Sequence, residues 1–404
     1  MPSDSRGGAA IDAAISERDA VGFVAVCRGD GPTGRYLTGR RLDTDFVFVR
    51  IPGETHLRVP STVDRPELDD AVSVRVDDRP AGKAAAAVLG EHAAEGTVLA
   101  SQTIPYDAAL HLESAGYDLA STTVLRDARA VKDEDEREAI ESTQRAAKRG
   151  IGRAAEILAK SIVSAESDET GSDDVLVWDG APLSTERLRR QVNAILAIEG
   201  VDAAGATTVR AGNRGGSDGR GESTDGDDGD SDDGDSDERD GRAGRGSAVE
   251  LVADEPIVVS VAPRGSAGYR GALARTFVVD PDGGWERRAH VACDAARDVT
   301  LVEADPGASA GFLGSEIRAE TAAFGFSMDE EVTRDVGGGI GLSAREDPPL
   351  DGDRELAAGN VLRVRAAVTH SEHGHVELTD VLVVEEDGPR MLVDAPTGLD
   401  PSRW

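Results

Sequence analysis

The residues with the most obvious capacity for chemistry lie in HSEHGHVE, where His370, His373 and His375 stand beside Glu372 and Glu377. Imidazoles and carboxylates so spaced can hold a zinc or nickel ion. The alternative is a polar hairpin tip whose rings face water, because a turn-rich segment rarely aims three rings at one point. DVGGGIG, residues 335–341, has the glycines of a phosphate loop but not its closing Lys-Ser/Thr. DGDDGDSDDGD, residues 225–235, imitates a calcium loop without flanking helices or a closing Glu at the right offset. Cys27 and Cys293 lie far apart in apolar or helical stretches, show no CxxC spacing, and read as two buried free thiols.

The elements that must position such groups alternate at first between strand and helix. Val21–Val26 and Phe46–Ile51 are β-branched and aromatic runs bounded by Gly, Asp and Pro. GKAAAAVLGEHAA and PYDAALHLESAG are helix-forming, the second stopped by Gly116. This predicts an α/β domain closing near Arg126 to Ala130. A long charged helix then begins at KDEDEREAI, with Ile140, Ala147, Ile151, Ala154 and Leu158 along one face. STERLRRQVNAILAIEG predicts a second helix, capped by Ser184 or Thr185 and ended by Gly200. Later come strands IVVSVA and ARTFVV, helices WERRAHVACDAARDVTLVEA and SEIRAETAAFGF, and strands VLRVRAAV and VLVVEE. Strands paired around helices within one unit predict an antiparallel sheet with helices on one face, an α+β arrangement.

The 404-residue length suits two domains. The formal net charge is −33, with four lysines (Lys83, Lys132, Lys148, Lys160) and 3% aromatic residues. Such a surface suits concentrated salt, where a short Debye length screens self-repulsion. It argues against nucleic acid and anionic membranes as partners. Residues 211–247, without a large apolar anchor and dense in like charge, read as a disordered acidic insertion. The chain lacks a signal-peptide pattern and any span long enough for a bilayer, which predicts a cytoplasmic protein.

The motifs also occur in a telling order: GRYLTGRR and HLRVPS; the passage TIPYDAALHLESAGYDLASTTVLRDARAVKDEDEREAI with Arg129, Lys132 and Glu136; then TERLRRQVNAILAIEG, PRGSAGYRGALARTFVVDPDGGWERR and GGGIGLSAREDPPL. In this the chain resembles the creatinase / methionine aminopeptidase-like metallopeptidases, most closely their Xaa-Pro dipeptidase and aminopeptidase P branch. The resemblance runs from about Ala13 to Gly388, outside the insertion. It implies a creatinase-like α/β N-terminal domain over 1–128. A pita-bread domain, a curved antiparallel sheet with helices, would follow over 129–404.

That family holds two divalent cations with two Asp, one His and two Glu, whose charge lets the pair activate a bridging hydroxide. Carried over position by position, the ligands fall on Ser260 (or Val261 with a one-residue gap), Ala272, Gly338, Arg365 and Thr379. None is a credible metal ligand. The family's His-Glu pair reads Arg345-Glu346, and no His occurs between Val201 and Ser260.

The expectation is therefore a pseudoenzyme with no catalytic residue and no metal cofactor. Its pocket, with Tyr269, Arg345, Glu346 and Arg365, would serve a peptide or small anion, or assembly as a homodimer or with an active relative. Arg345 and Arg365 would either recognise an anionic group or pair with surviving acids such as Glu346 and Asp380. The alternative is an active aminopeptidase or Xaa-Pro dipeptidase using manganese, cobalt or zinc relocated to His370, His373 and His375.

Overall fold

A computed structural model of the chain describes residues 7–68, 71–164, 174–202, 207–212, 248–281 and 283–404. The acidic insertion, apart from Ala211 and Gly212, and the calcium-loop lookalike within it lie outside the described residues. The chain divides into two compact units between Arg129 and Ala130.

The first unit is built on a mixed six-stranded sheet, ordered β4-β3-β2-β1-β5-β6. Its strands are β1 (Gly22–Cys27), β2 (Phe46–Ile51), β3 (Glu54–Val59), β4 (Val72–Val76), β5 (Gly96–Ser101) and β6 (Tyr117–Thr122). FVFVRI of β2 is buried along its whole length, as a strand covered on both faces must be. Its helices are α1 (Gly8–Glu17), α2 (Pro32–Thr38), α3 (Ala81–Leu89), α4 (Tyr106–Ser114) and α5 (Val124–Ala130). Prolines 80 and 105 precede α3 and α4, and Gly116 at φ 99° takes the left-handed turn after α4.

The second unit opens with α6 (Glu134–Ala159), started by a capping box in which Asp133 and Glu136 satisfy each other's backbone amides. The stripe read from the sequence, Ile140 to Leu158, is its buried face. A small sheet of β7 (Ile162–Ser164), β8 (Val175–Trp178) and β9 (Ala181–Pro182) leads to α7 (Thr185–Ile198), whose cap is Ser184. The main sheet is antiparallel throughout, ordered β10-β11-β12-β16-β15-β13-β14, with β17 paired to β16. The strands are β10 (Thr207–Ala211), β11 (Ile257–Val261), β12 (Leu273–Phe277), β13 (Gly337–Gly339), β14 (Glu346–Pro349), β15 (Val361–His370), β16 (Gly374–Glu385) and β17 (Gly388–Met391). Between β12 and β13 run α8 (Trp285–Glu303) and α9 (Ala310–Ala323).

Alternation along the strands decides what each face does. Ile257, Val259, Val261, Leu273 and Phe277 form one core with α6 and α7. Val364, Ala366, Val368, Val376, Leu378 and Leu382 form a second with α8 and α9. The residues that alternate with these, among them Ser260, Ala274, Arg365, Glu377 and Thr379, point to the opposite face. The α+β expectation for this unit is met.

Candidate functional site on the open sheet face

Register brings three of the sequence-predicted positions, Ser260, Thr379 and Arg365, into line. Ser260 pairs with Ala274, Ala274 with Thr379, and Thr379 with Arg365, one row across β11, β12, β16 and β15. Ala274, not one of the positions read from the sequence, completes this row. Ala272 lies just before β12, its amide donating to Gln144 Oε1 at 2.9 Å and its carbonyl accepting from Gln144 Nε2 at 2.8 Å. Gly338 pairs with Arg363 on one side and Pro349 on the other.

The glycines of β13 answer to packing. A Cβ at Gly337 would meet Arg363 O at 1.9 Å, and one at Gly339 would meet Asp347 O at 2.2 Å. At Gly338 it would lie 3.0 Å from Pro349 Cα and 3.1 Å from Pro348 O, so a side chain there displaces backbone. The phosphate-loop likeness thus has a different cause: a short strand squeezed between two others.

At the end of the row Arg365 Nη2 reaches Glu377 Oε2 at 2.9 Å, and its Nη1 donates to Thr333 Oγ1 at 3.0 Å. Glu377 also bonds His375 Nε2 at 3.0 Å and accepts from Thr379 Oγ1 at 3.0 Å. Burial by itself would raise the Glu377 carboxyl, but the His375 hydrogen bond and the Arg365 charge outweigh it and hold it well below the usual range. Arg365 is shifted up: burial opposes this, and the Glu377 carboxylate prevails. Behind the sheet, burial followed by the Glu377 charge pushes the Cys293 thiol far up, so it is no thiolate nucleophile. A saturated, strongly acidic carboxylate is likewise a poor general base.

Other expected pocket residues lie elsewhere. Arg345 has its side chain 80% exposed and approaches Asp335 at 3.4 Å, while Arg363 holds Asp335 at 3.0 Å. Glu346 pairs with Lys132 at 2.9 Å, with the two side chains only 5% and 1% exposed. Tyr269 is buried and donates its hydroxyl to Glu136 Oε1 at 2.7 Å, beside the capping box of α6. Asp380 faces the helices and binds Arg275 at 2.8 Å and Arg297 at 2.9 Å. The partner of Arg365 is thus Glu377, not Glu346 or Asp380. Alternation could have shown this, since residues 377 and 379 share a face.

His373 stacks on Trp285 with ring centroids 5.6 Å apart and His370 meets the same ring at a tilt, 6.0 Å away and 4.6 Å from His373, whereas His375 turns to Glu377 and Thr369. The three imidazoles are not brought to one point. Across the row, a guanidinium, two hydroxyls and a methyl group offer no anionic ligand set, and Arg365 places positive charge where a dication would need the opposite. These residues do not fit a pair of divalent cations.

Residues 234–386 match the family model described as metallopeptidase family M24. No curated protein matches the chain. Among solved structures, dipeptidase PepE from Mycobacterium ulcerans is 21% identical, with a TM-score of 0.72 over 98% of this chain and 96% of that one. Xaa-Pro dipeptidase from Bacillus anthracis is 13% identical, with a TM-score of 0.73 over 97% and 98%. The N-terminal domain of FACT complex subunit SPT16 from Cicer arietinum is 12% identical, with a TM-score of 0.67 over 98% of both chains. The segment similar to the M24 model therefore lies in a chain with the fold of Xaa-Pro dipeptidases, a fold shared by a protein named as a complex subunit. Among the described residues no helix is long and apolar enough to cross a membrane.

Proposed function

We propose that this chain is a non-catalytic homologue of the Xaa-Pro dipeptidases, kept for binding or assembly. The observation that carries the reading is the Arg365–Glu377 pair at the end of the Ser260–Ala274–Thr379–Arg365 row. The resemblance assigns metal ligands to Ser260, Ala272, Gly338, Arg365 and Thr379. A row neutral but for one arginine cannot gather two dications, and Glu377 is already saturated by three donors. The reading needs no catalytic residue and no resident metal in this unit.

The competing reading, a peptidase with manganese, cobalt or zinc relocated to His370, His373 and His375, is weakened by the commitment of two rings to Trp285 and the third to Glu377. The likeness to a FACT complex subunit supports a role in assembly. The partners that suit it are a peptide or small anion, a second copy of the chain, or an active relative. Hydrolysis of Xaa-Pro dipeptides by the full chain, with each of the three metals added in turn, tests the proposal. No turnover above buffer is expected, and turnover proportional to protein concentration overturns it.

A further inference from the structure

Far along the chain from the M24 segment, three side chains with ligand chemistry converge in the first unit. Glu54 and His56 stand two apart on β3 and so share one face of that strand. His92 follows α3, its backbone amide donating to Leu89 O at 2.9 Å. One ligand atom from each of the three lies within 4.8 Å of the other two, and among the described residues this is the group of His, Cys, Asp and Glu that does so. We propose that Glu54, His56 and His92 form a binding site for a divalent transition metal of the zinc class.

Geometry is joined by an unmet need. His56 is only 5% exposed, yet neither ring nitrogen makes a hydrogen bond within the protein. Its nearest partner, Glu54 Oε2, is 3.3 Å from Nε2 but not aligned for one. Buried polar atoms nearly always have partners, and a metal ion is one.

Arg75 approaches Glu91 at 3.6 Å and Arg79 holds Asp77 at 2.6 Å, while burial and then the Arg75 charge lower the Arg58 pKa against the pull of Glu91 and Asp77. Glu54 stands at the site, its carboxylate 3.3 Å from the His56 ring. Glu54 and His92 are exposed and can close the remaining distance, since zinc ligands sit about 2.0–2.2 Å from the ion. Two imidazoles and one carboxylate leave a fourth position for water. The ion would clip the β2–β3 hairpin to the end of α3.

The test is Zn2+ competition between the full chain and a chromophoric chelator, with Co2+ absorption as a second readout. Wild type is expected to bind one equivalent that His92→Ala and Glu54→Gln each weaken by about 30-fold or more. Bound Co2+ should give the intense visible bands of a four-coordinate site, absent in His92→Ala. Both substitutions are at exposed positions, so circular dichroism should be unchanged. Wild type without a zinc equivalent overturns the assignment, as does binding that neither variant weakens. The outcome is separable from the peptidase question, because it is read as metal affinity and mapped to the other unit.

Discussion

Arg365 and Glu377 meet at 2.9 Å on β15 and β16, and Glu377 also bonds His375 and Thr379 on the open face. A carboxylate so engaged stabilises the sheet by being charged and paired. Breaking such a pair from one side leaves a buried charge uncompensated, at a cost of about 3–5 kcal/mol. Arg365→Met should lose stability on that scale in urea unfolding, and Arg365→Glu more, because two carboxylates would then face each other. The double change Arg365→Leu with Glu377→Leu should cost less than either single change to Glu377 or Arg365. Equal losses added in the double variant would show the two residues uncoupled.

The same pair sets an acid dependence. The Glu377 carboxyl has a folded pKa depressed below its ordinary 4.5, so its contribution is fully present above that value and is lost as pH falls through the folded pKa. Stability of the wild type should therefore fall more steeply below about pH 4.5 than that of the double leucine variant. Carbon-detected NMR should show Glu377 still ionised at about pH 3, where a free glutamate is protonated. A Glu377 midpoint near the ordinary value contradicts the assignment.

On the opposite face of the same strands, Arg275 of the ARTF motif is wholly buried and its guanidinium is held by Asp380 and by the carbonyls of Ala274, Thr379 and Ala395. The motif serves the sheet. Asp380→Asn should cost about 3–5 kcal/mol by leaving Arg275 and Arg297 short of their carboxylate. A loss below about 1 kcal/mol would be inconsistent with that role.

Restoring an imidazole at Gly338 should fail structurally. With backbone of Pro348 and Pro349 about the site of a new Cβ, Gly338→His is expected to cost about 2 kcal/mol or more in thermal unfolding. An equally stable variant would mean that β13 yields readily.

Much of this fold is legible in the sequence because local patterns decide it. The Ile140–Leu158 stripe, the Ser184 cap and the Gly116 stop each follow from neighbouring residues. The site was legible as a set of positions, through the order of the motifs, but less so as contacts. Ala274 and not Ala272 stands in the row, while the backbone of Ala272, just before the strand, is bonded to Gln144 on a helix 128 positions away. Tyr269 goes to Glu136 across 133 positions, and Arg365 finds Glu377 only through the β15–β16 register. The Glu54–His56–His92 group joins a strand to a turn beyond a helix, a closeness that no local spacing encodes.

The most direct measurement is a crystal structure grown with Mn2+ and recorded at a wavelength where manganese scatters anomalously. The account predicts no anomalous peak at the Ser260–Ala274–Thr379–Arg365 row, with Arg365 resting on Glu377. A manganese pair at that row, with Arg365 swung away and Glu377 ligating, would contradict it.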